Sequence, residues 1–185
     1  PLPDGQINIF AVIALDGALA LRRAGVTVYN HNLETARSHF PRICSTHDYD
    51  QRLETVRVLR RAGIERGCGG IFGVGETWEQ RVELGAELAA LEVERVPVNF
   101  LHPIPGTLLG ETELLGPEEA LRIVAVFRLM LPAALIQVCG GREKVLGAMQ
   151  SRIFAAGATG MILGDYLATR GQSMDADLQM LAAQG

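Results

Sequence analysis

The sequence predicts an α/β fold, a partial TIM-type (β/α) barrel of about six parallel strand and helix units. Short β-branched runs alternate along it with longer amphipathic stretches, the arrangement that parallel strands joined by crossover helices require. Polar residues suited to binding, Asn30, Asn32, Asn99, His102, Gln137 and Arg142, fall at or just beyond the C-terminal ends of these runs, where barrel enzymes carry their function. An open doubly wound sheet would share the alternation, but this clustering favours the barrel. Neither an internal repeat nor a linker interrupts the pattern, so residues 1–185 are expected to form one domain.

The first run, Ile7 to Ala14, reads as a strand, and Asp16 to Ala24 as a helix with Asp16 near its N-cap. Val26 to Asn32 is the second strand. In Asp48 to Ala62 the apolar residues Leu53, Val56 and Leu59 recur at helical spacing, and Gly63 supplies a C-terminal stop. Cys68 to Val74 reads as a glycine-rich third strand, followed by a helix from Thr77 to Leu91 that Thr77 and Glu79 open. Pro97 to Leu101 is the fourth strand, and Pro117 to Met130 an amphipathic helix whose proline suits the first turn. Leu135 to Cys139 and Met161 to Leu163 supply two more strands around a helix from Lys144 to Ala156.

With 48% hydrophobic residues the chain can bury a sizeable core, and its net charge of −4 leaves no basic excess for nucleic acid or an anionic membrane. A small molecule is the expected ligand. Cys44, Cys68 and Cys139 are odd in number and widely spaced, against a secreted disulfide framework and for a reducing compartment. No stretch approaches the apolar length of a membrane span, and the expected location is the cytoplasm.

Tyr29 to Thr35 (YNHNLET) packs two amides, an imidazole and a carboxylate into one junction between strand and loop, where residues 30, 32 and 34 alternate onto one side. Amides donate and accept, and a carboxylate accepts two hydroxyls, so the set suits a ribose or a ureido group; a loop whose side chains satisfy its own backbone is the equal alternative. Gly69 to Thr77 (GGIFGVGET) lets a ligand or a neighbouring strand come close to the backbone. It is not the dinucleotide fingerprint, and for this stretch in isolation glycines allowing tight barrel packing are the favoured reading. Lys144 is the only lysine, which excludes a GK[ST] phosphate loop. The four histidines show no metal spacing, and a lone cysteine such as Cys68 is more often a small buried residue than a ligand.

Taken together, YNHNLET, AGIERGCGGIFGVGET, VPVNFLHPIPGTLL and QVCGGREKVLGAMQSRIFAAGATGMILGDYLATRG resemble the biotin synthase family in order and spacing over nearly the whole chain. NHNLET alone also resembles lipoyl synthase, but VNFLHPIPGT and CGGRE do not belong to that family. The resemblance implies a barrel that binds S-adenosylmethionine and dethiobiotin side by side. A [4Fe–4S] cluster would cleave the former to a 5′-deoxyadenosyl radical, and an auxiliary [2Fe–2S] cluster would donate the sulfur that turns dethiobiotin into biotin. A homodimer is implied for the parent enzyme.

Carried onto this sequence, the resemblance assigns Asn32 and Glu34 to the ribose of S-adenosylmethionine, and Gly73, Gly75 and Glu76 to the turn near its nucleoside. It assigns Asn32 and Asn99 to the ureido ring of dethiobiotin and Asn30 with Thr169 to its carboxylate tail, with Ala168 in place of a frequent threonine. The cysteine that usually binds the auxiliary cluster aligns with Gly67, leaving Cys68, one place later and facing the other way, as the remaining candidate metal ligand. The arginine of that cluster aligns with Gln137, and no cysteine stands in the first strand. The CxxxCxxC loop of the radical-generating cluster is not in the sequence, which is expected to be an inactive fragment beginning at the third barrel strand. The alternatives are a non-catalytic descendant that binds a ligand or a partner, or a related radical enzyme with another substrate.

Overall fold

In the computed structural model of the protein, residues 6–8, 12–166 and 170–183 are described, the side chains of 6–8 excepted. They fall into two units, Pro1–Gly70 with Glu76–Pro97, and Ile71–Gly75 with Val98–Gly185.

The first unit carries strands β1 (Gln6–Asn8), β2 (Val28–Asn30) and β3 (Glu65–Gly67), helices α1 (Leu15–Arg23), α2 (Phe40–Ile43) and α3 (Tyr49–Arg61), helix α4 (Trp78–Ala90), and the start of a strand that runs from Arg95 to Phe100. β1 pairs in parallel with β2, β2 with β3 through Asn30 opposite Gly67, and β3 with Arg95. α3 begins where the N–H of Asp48 is accepted by Gln51 Oε1 at 3.3 Å. Its Leu53, Val56 and Leu59 are buried in one stripe, as their spacing requires. Leu59 joins Ala18 of α1, Tyr29 of β2 and Ile64 in a shared apolar cluster. α4 opens with a reciprocal cap, the Gln80 N–H to Thr77 Oγ1 at 3.3 Å and the Thr77 N–H to Gln80 Oε1 at 2.9 Å.

The second unit holds most of β4 (Gly70–Phe72), the end of β5 (Arg95–Phe100), α5 (Pro117–Met130), β6 (Leu135–Val138), α6 (Arg142–Leu146), a 3-10 helix (Gly147–Ile153), β7 (Gly160–Met161) and α7 (Met174–Ala182). The N–H of Leu101 donates to the Phe72 carbonyl and that of Cys139 to the Val98 carbonyl, each at 2.8 Å, and β6 pairs in parallel with β7. Phe72 meets Phe127 of α5 edge to face at 5.1 Å, inside a core that includes Val98, Ile123, Ile136 and Val138. The guanidinium of Arg128 closes the end of α5 by donating to the carbonyls of Leu131, Pro132, Ala134 and Gly157.

Within this unit Arg142, at the start of α6, and Asp177, on α7, are both 0% exposed. Nη2 of Arg142 donates to both Asp177 oxygens at 2.6 Å, and its Nη1 to Gln150. The same carboxylate accepts from the Gly164 N–H at 3.2 Å and from Gln172 Nε2 at 2.9 Å. These added hydrogen bonds offset part of the desolvation cost of a buried ion pair.

The α/β class of parallel strands alternating with helices is observed, and α5 keeps the expected bounds. Other boundaries differ from the expectations. The strand expected at Ile7 to Ala14 is β1 alone among the described residues, and α1 starts from Ala14, with Asp16 in its first turn. The single strand expected at Cys68 to Val74 is two, β3 and β4: at Cys68 and Gly69 the backbone pairs elsewhere, Cys68 N–H with Arg95 and the Gly69 carbonyl with the N–H groups of Leu33 and Glu34. The helix expected from Lys144 to Ala156 is α6 followed by the 3-10 helix, with a break at Gly147, whose φ is 49°. α2 and α7 were not anticipated.

Asp177→Ala leaves a guanidinium buried without its counter-charge, so the unfolding free energy should fall by about 3–5 kcal/mol in urea titration. Replacing Arg142 and Asp177 together by apolar residues should cost less than this single change; a larger loss in the double variant would show that the pair does not account for the effect.

Candidate functional site

In the first unit the chain leaves β2 at Asn30 and runs beside the segment that follows β3. The N–H of His31 donates to the Gly67 carbonyl at 2.7 Å, and those of Leu33 and Glu34 share the Gly69 carbonyl at 3.0 and 3.2 Å. Oδ1 of Asn32 accepts the Gly69 N–H at 3.1 Å, so the backbone of one residue is held by both the main chain and a side chain of the NHNLET segment. Glu34 sits in the left-handed region at φ 70°, which turns its side chain out of the strand direction.

Arg52, from α3, completes this junction. Its Nη1 donates to the Asn32 carbonyl at 2.8 Å and lies 3.4 Å from Glu34 Oε1. Burial pushes the Glu34 carboxyl above its ordinary range, while Arg52 and a hydrogen bond from the Asn32 side chain pull it back. The result is a carboxylate and an amide fixed beside one another, able to accept hydroxyl donors while a guanidinium supplies local positive charge. Sequence reasoning did not single out Arg52; its place next to Leu53, on the margin of the buried stripe of α3, was the only signal.

His31 belongs to the same segment. It is 1% exposed, and neither ring nitrogen has a hydrogen-bond partner. Burial, and then the positive charges of Arg52 and His47, lower its imidazole to about 4, so it is neutral near pH 7. Cys68, after β3, is 0% exposed and is a free thiol that burial pushes up to about 12. Glu76, also in this unit, accepts from Arg81 Nε at 2.7 Å with both side chains buried, and the Arg81 guanidinium stacks over Trp78 at 4.7 Å. Its carboxylate therefore anchors the start of α4.

In the second unit Gly73 and Gly75 have φ of 88° and 92°, left-handed values that make the turn after β4 open to glycine. Asn99, on β5, accepts the Gly140 N–H through Oδ1 at 3.1 Å. Gln137 is half-buried on β6, and its carbonyl accepts the Cys139 thiol at 3.3 Å. His102 lies two residues past β5 with a buried Nδ1 that lacks a partner. Arg142 lies beyond β6 as expected, but its guanidinium is spent on Asp177 and Gln150 inside the protein, which corrects its standing as a ligand-binding candidate. Thr169 and Ala168 lie outside the described residues. Among the described residues no group of three or more His, Cys, Asp or Glu could hold a metal ion, and no helix is long and apolar enough to cross a membrane.

Comparison with known proteins adds a second line of evidence. Residues 9–88 match the Radical SAM superfamily, and residues 97–185 match the Biotin and Thiamin Synthesis associated domain. The biotin synthase of Nitratidesulfovibrio vulgaris (strain Miyazaki F) is 56% identical over 168 residues, 91% of this chain and 46% of that protein. The biotin synthase of Geobacter sulfurreducens is 54% identical over 174 residues, 94% of this chain and 53% of that protein. The chain thus spans about half the length of the curated relatives it matches. Among solved structures, methylornithine synthase (PylB) superposes with a TM-score of 0.75 at 21% identity, covering 94% of this chain and 56% of its own. SuiB of Streptococcus suis superposes with a TM-score of 0.56 at 11% identity, covering 94% and 47%. Both likenesses are of fold.

His31 gives this region a pH dependence. Its ordinary value is 6.5 and its folded value about 4, so below pH 6.5 the unfolded chain binds a proton that the folded one refuses. Stability is unaffected above that range and falls as pH drops through it, by on the order of 3 kcal/mol. Urea denaturation of His31→Leu at about pH 7 and about pH 4.5 should show a shallower loss than the parent; equal losses would assign the effect to other groups.

Proposed function

Because the chain belongs to the biotin synthase family, within the radical S-adenosylmethionine superfamily, we propose that it binds S-adenosylmethionine and dethiobiotin in the radical reaction that leads to biotin. The observation that carries this reading is the junction after β2, where the Gly69 backbone holds Asn32 and Glu34 and Arg52 bridges the two.

The residues present fit S-adenosylmethionine. Glu34 and Asn32 offer the acceptor and donor that two ribose hydroxyls need. Arg52, 3.4 Å from Glu34 Oε1, opposes the upward push that burial gives this carboxyl. The turn of Gly73 and Gly75 is assigned to the nucleoside, with Glu76 in the same role though its carboxylate already serves Arg81. A [4Fe–4S] cluster, when bound, supplies the electron that makes S-adenosylmethionine a source of hydrogen-abstracting radicals. The three cysteines of this sequence are not spaced as CxxxCxxC, so no residue here is assigned to that cluster.

For dethiobiotin, Asn99 is the main candidate. With Oδ1 held by the Gly140 N–H its amide plane is fixed, and an amide complements the carbonyl and N–H edges of a ureido ring. Asn32 is assigned to the same ring, and Asn30 and Thr169 to the carboxylate tail. The protein's task in such chemistry is orientation: the reacting carbon must be presented to a short-lived radical while water is kept away. The cytoplasm, a reducing compartment that suits three free cysteines, is the proposed location.

Binding measurements test this directly. Glu34→Gln removes a charged acceptor while keeping its shape, and should weaken S-adenosylmethionine binding about 10- to 100-fold in equilibrium dialysis with no change in the circular dichroism spectrum. Asn99→Ala should weaken dethiobiotin binding about tenfold and leave S-adenosylmethionine binding unchanged. If Glu34→Gln binds as the parent does, the ribose assignment is wrong; if Asn99→Ala weakens both ligands alike, the two sites have not been separated correctly.

A further inference from the structure

At the end of β3 the resemblance places a cysteine that holds the auxiliary iron–sulfur cluster, and this sequence has Gly67. The structure shows what fills that place. Asn30 of β2 lies directly opposite Gly67 in the parallel register. A Cβ built on Gly67 would fall 1.5 Å from Asn30 Oδ1 and 2.6 Å from its Cγ, far inside any permitted contact. The side-chain amide of Asn30 therefore lies across the glycine, in the space where a cysteine's first carbon would stand.

Cys68 does not take over the missing role. Its side chain is fully buried in the core, its N–H is tied to the Arg95 carbonyl at 2.9 Å, and strand alternation sends it to the face opposite that of residue 67. The segment around it is pinned on both sides: the Gly67 carbonyl accepts from His31, and the Gly69 peptide is held by Asn32, Leu33 and Glu34. A register slip that brought Cys68 into the place of Gly67 would break these hydrogen bonds together and turn a core side chain outward.

We infer that this chain does not hold the auxiliary cluster on β3: the Asn30 amide occupies the seat of the usual cysteine, Gly67 is the positioning residue that permits it, and Cys68 is a core residue. The inference rests on the biotin synthase reading for what position 67 does in the family, and on the geometry of Asn30 and Gly67 for what it does here. The strand end is converted from a thiolate site into an amide site. Asn30 is thereby fixed as a neutral donor and acceptor, of the kind that meets a carboxylate or a ureido oxygen.

The test is anaerobic reconstitution of the protein with iron and sulfide, counting both per chain for the parent, Cys68→Ala and Cys68→Ser. Unchanged counts in whichever variant folds as the parent does are expected, whatever the parent's own count. A loss of about two irons per chain in both variants would overturn the inference, because only a ligand at Cys68 explains it. Dethiobiotin binding separates the two parts. Asn30→Ala and Gly67→Ala should each weaken it several-fold, and the double variant no more than the weaker single, since both act through one amide. If the iron counts are unchanged but neither single variant alters binding, Asn30 is not a substrate group and that part of the functional reading fails while the cluster inference stands.

Discussion

The Gly69 peptide is where the first unit's functional geometry is decided. Its carbonyl accepts two N–H groups from the loop after β2, and its N–H is taken by the side chain of Asn32. A buried residue has to satisfy both its N–H and its carbonyl, and Gly69 does so by binding the NHNLET segment instead of continuing a strand. One consequence is the break between β3 and β4. Another is the φ of 70° at Glu34, which a free strand end would not adopt and which the paired backbone on either side enforces. A third is the placement of Arg52, whose guanidinium finds the Asn32 carbonyl and the Glu34 carboxylate only because the loop has been held in this shape.

Buried charge follows the same logic in the two units. Glu76 with Arg81, and Arg142 with Asp177, are each enclosed and each paired at short range. Such pairs contribute little net stability compared with apolar substitutes, because desolvation offsets most of their attraction. They do impose direction: the first fixes how α4 begins, and the second fixes where α7 and the Gly164 and Gln172 segments meet α6. Two residues that a sequence reader would take for binding groups, Glu76 and Arg142, are thus engaged in holding elements in place. For Arg142 both terminal nitrogens are committed, to Gln150 and Asp177. Glu76 keeps its assignment beside the nucleoside only as a neighbour of the glycine turn.

Much of the architecture was legible from periodicity. α3 and α5 show an apolar stripe at helical spacing and carry their own start and stop residues, Asp48 and Gly63 for the one and Pro117 for the other, so local chemistry and burial agree. The alternation of such helices with short β-branched runs sufficed for the α/β class. Less legible were elements whose form depends on partners distant in sequence. Gly147 interrupts an otherwise helical stretch, and α7 has a weak pattern because its anchor is a single buried carboxylate, Asp177, with no apolar signature of its own.

The candidate site divides along the same line. The sequence by itself determined which residue types stand at the strand ends, and the biotin synthase family to which their motifs belong, because family motifs and strand-end positions are properties of order along the chain. Only the tertiary structure decided which of those side chains remain available. It showed Asn32 and Glu34 joined by Arg52, Arg142 withdrawn into the interior, Cys68 committed to the core and Asn30 laid across Gly67. The physical reason is that a polar or thiol group's chemistry depends on its partners and its access to solvent. Both are set by segments far away in sequence, brought together by parallel pairing that leaves no trace in local composition.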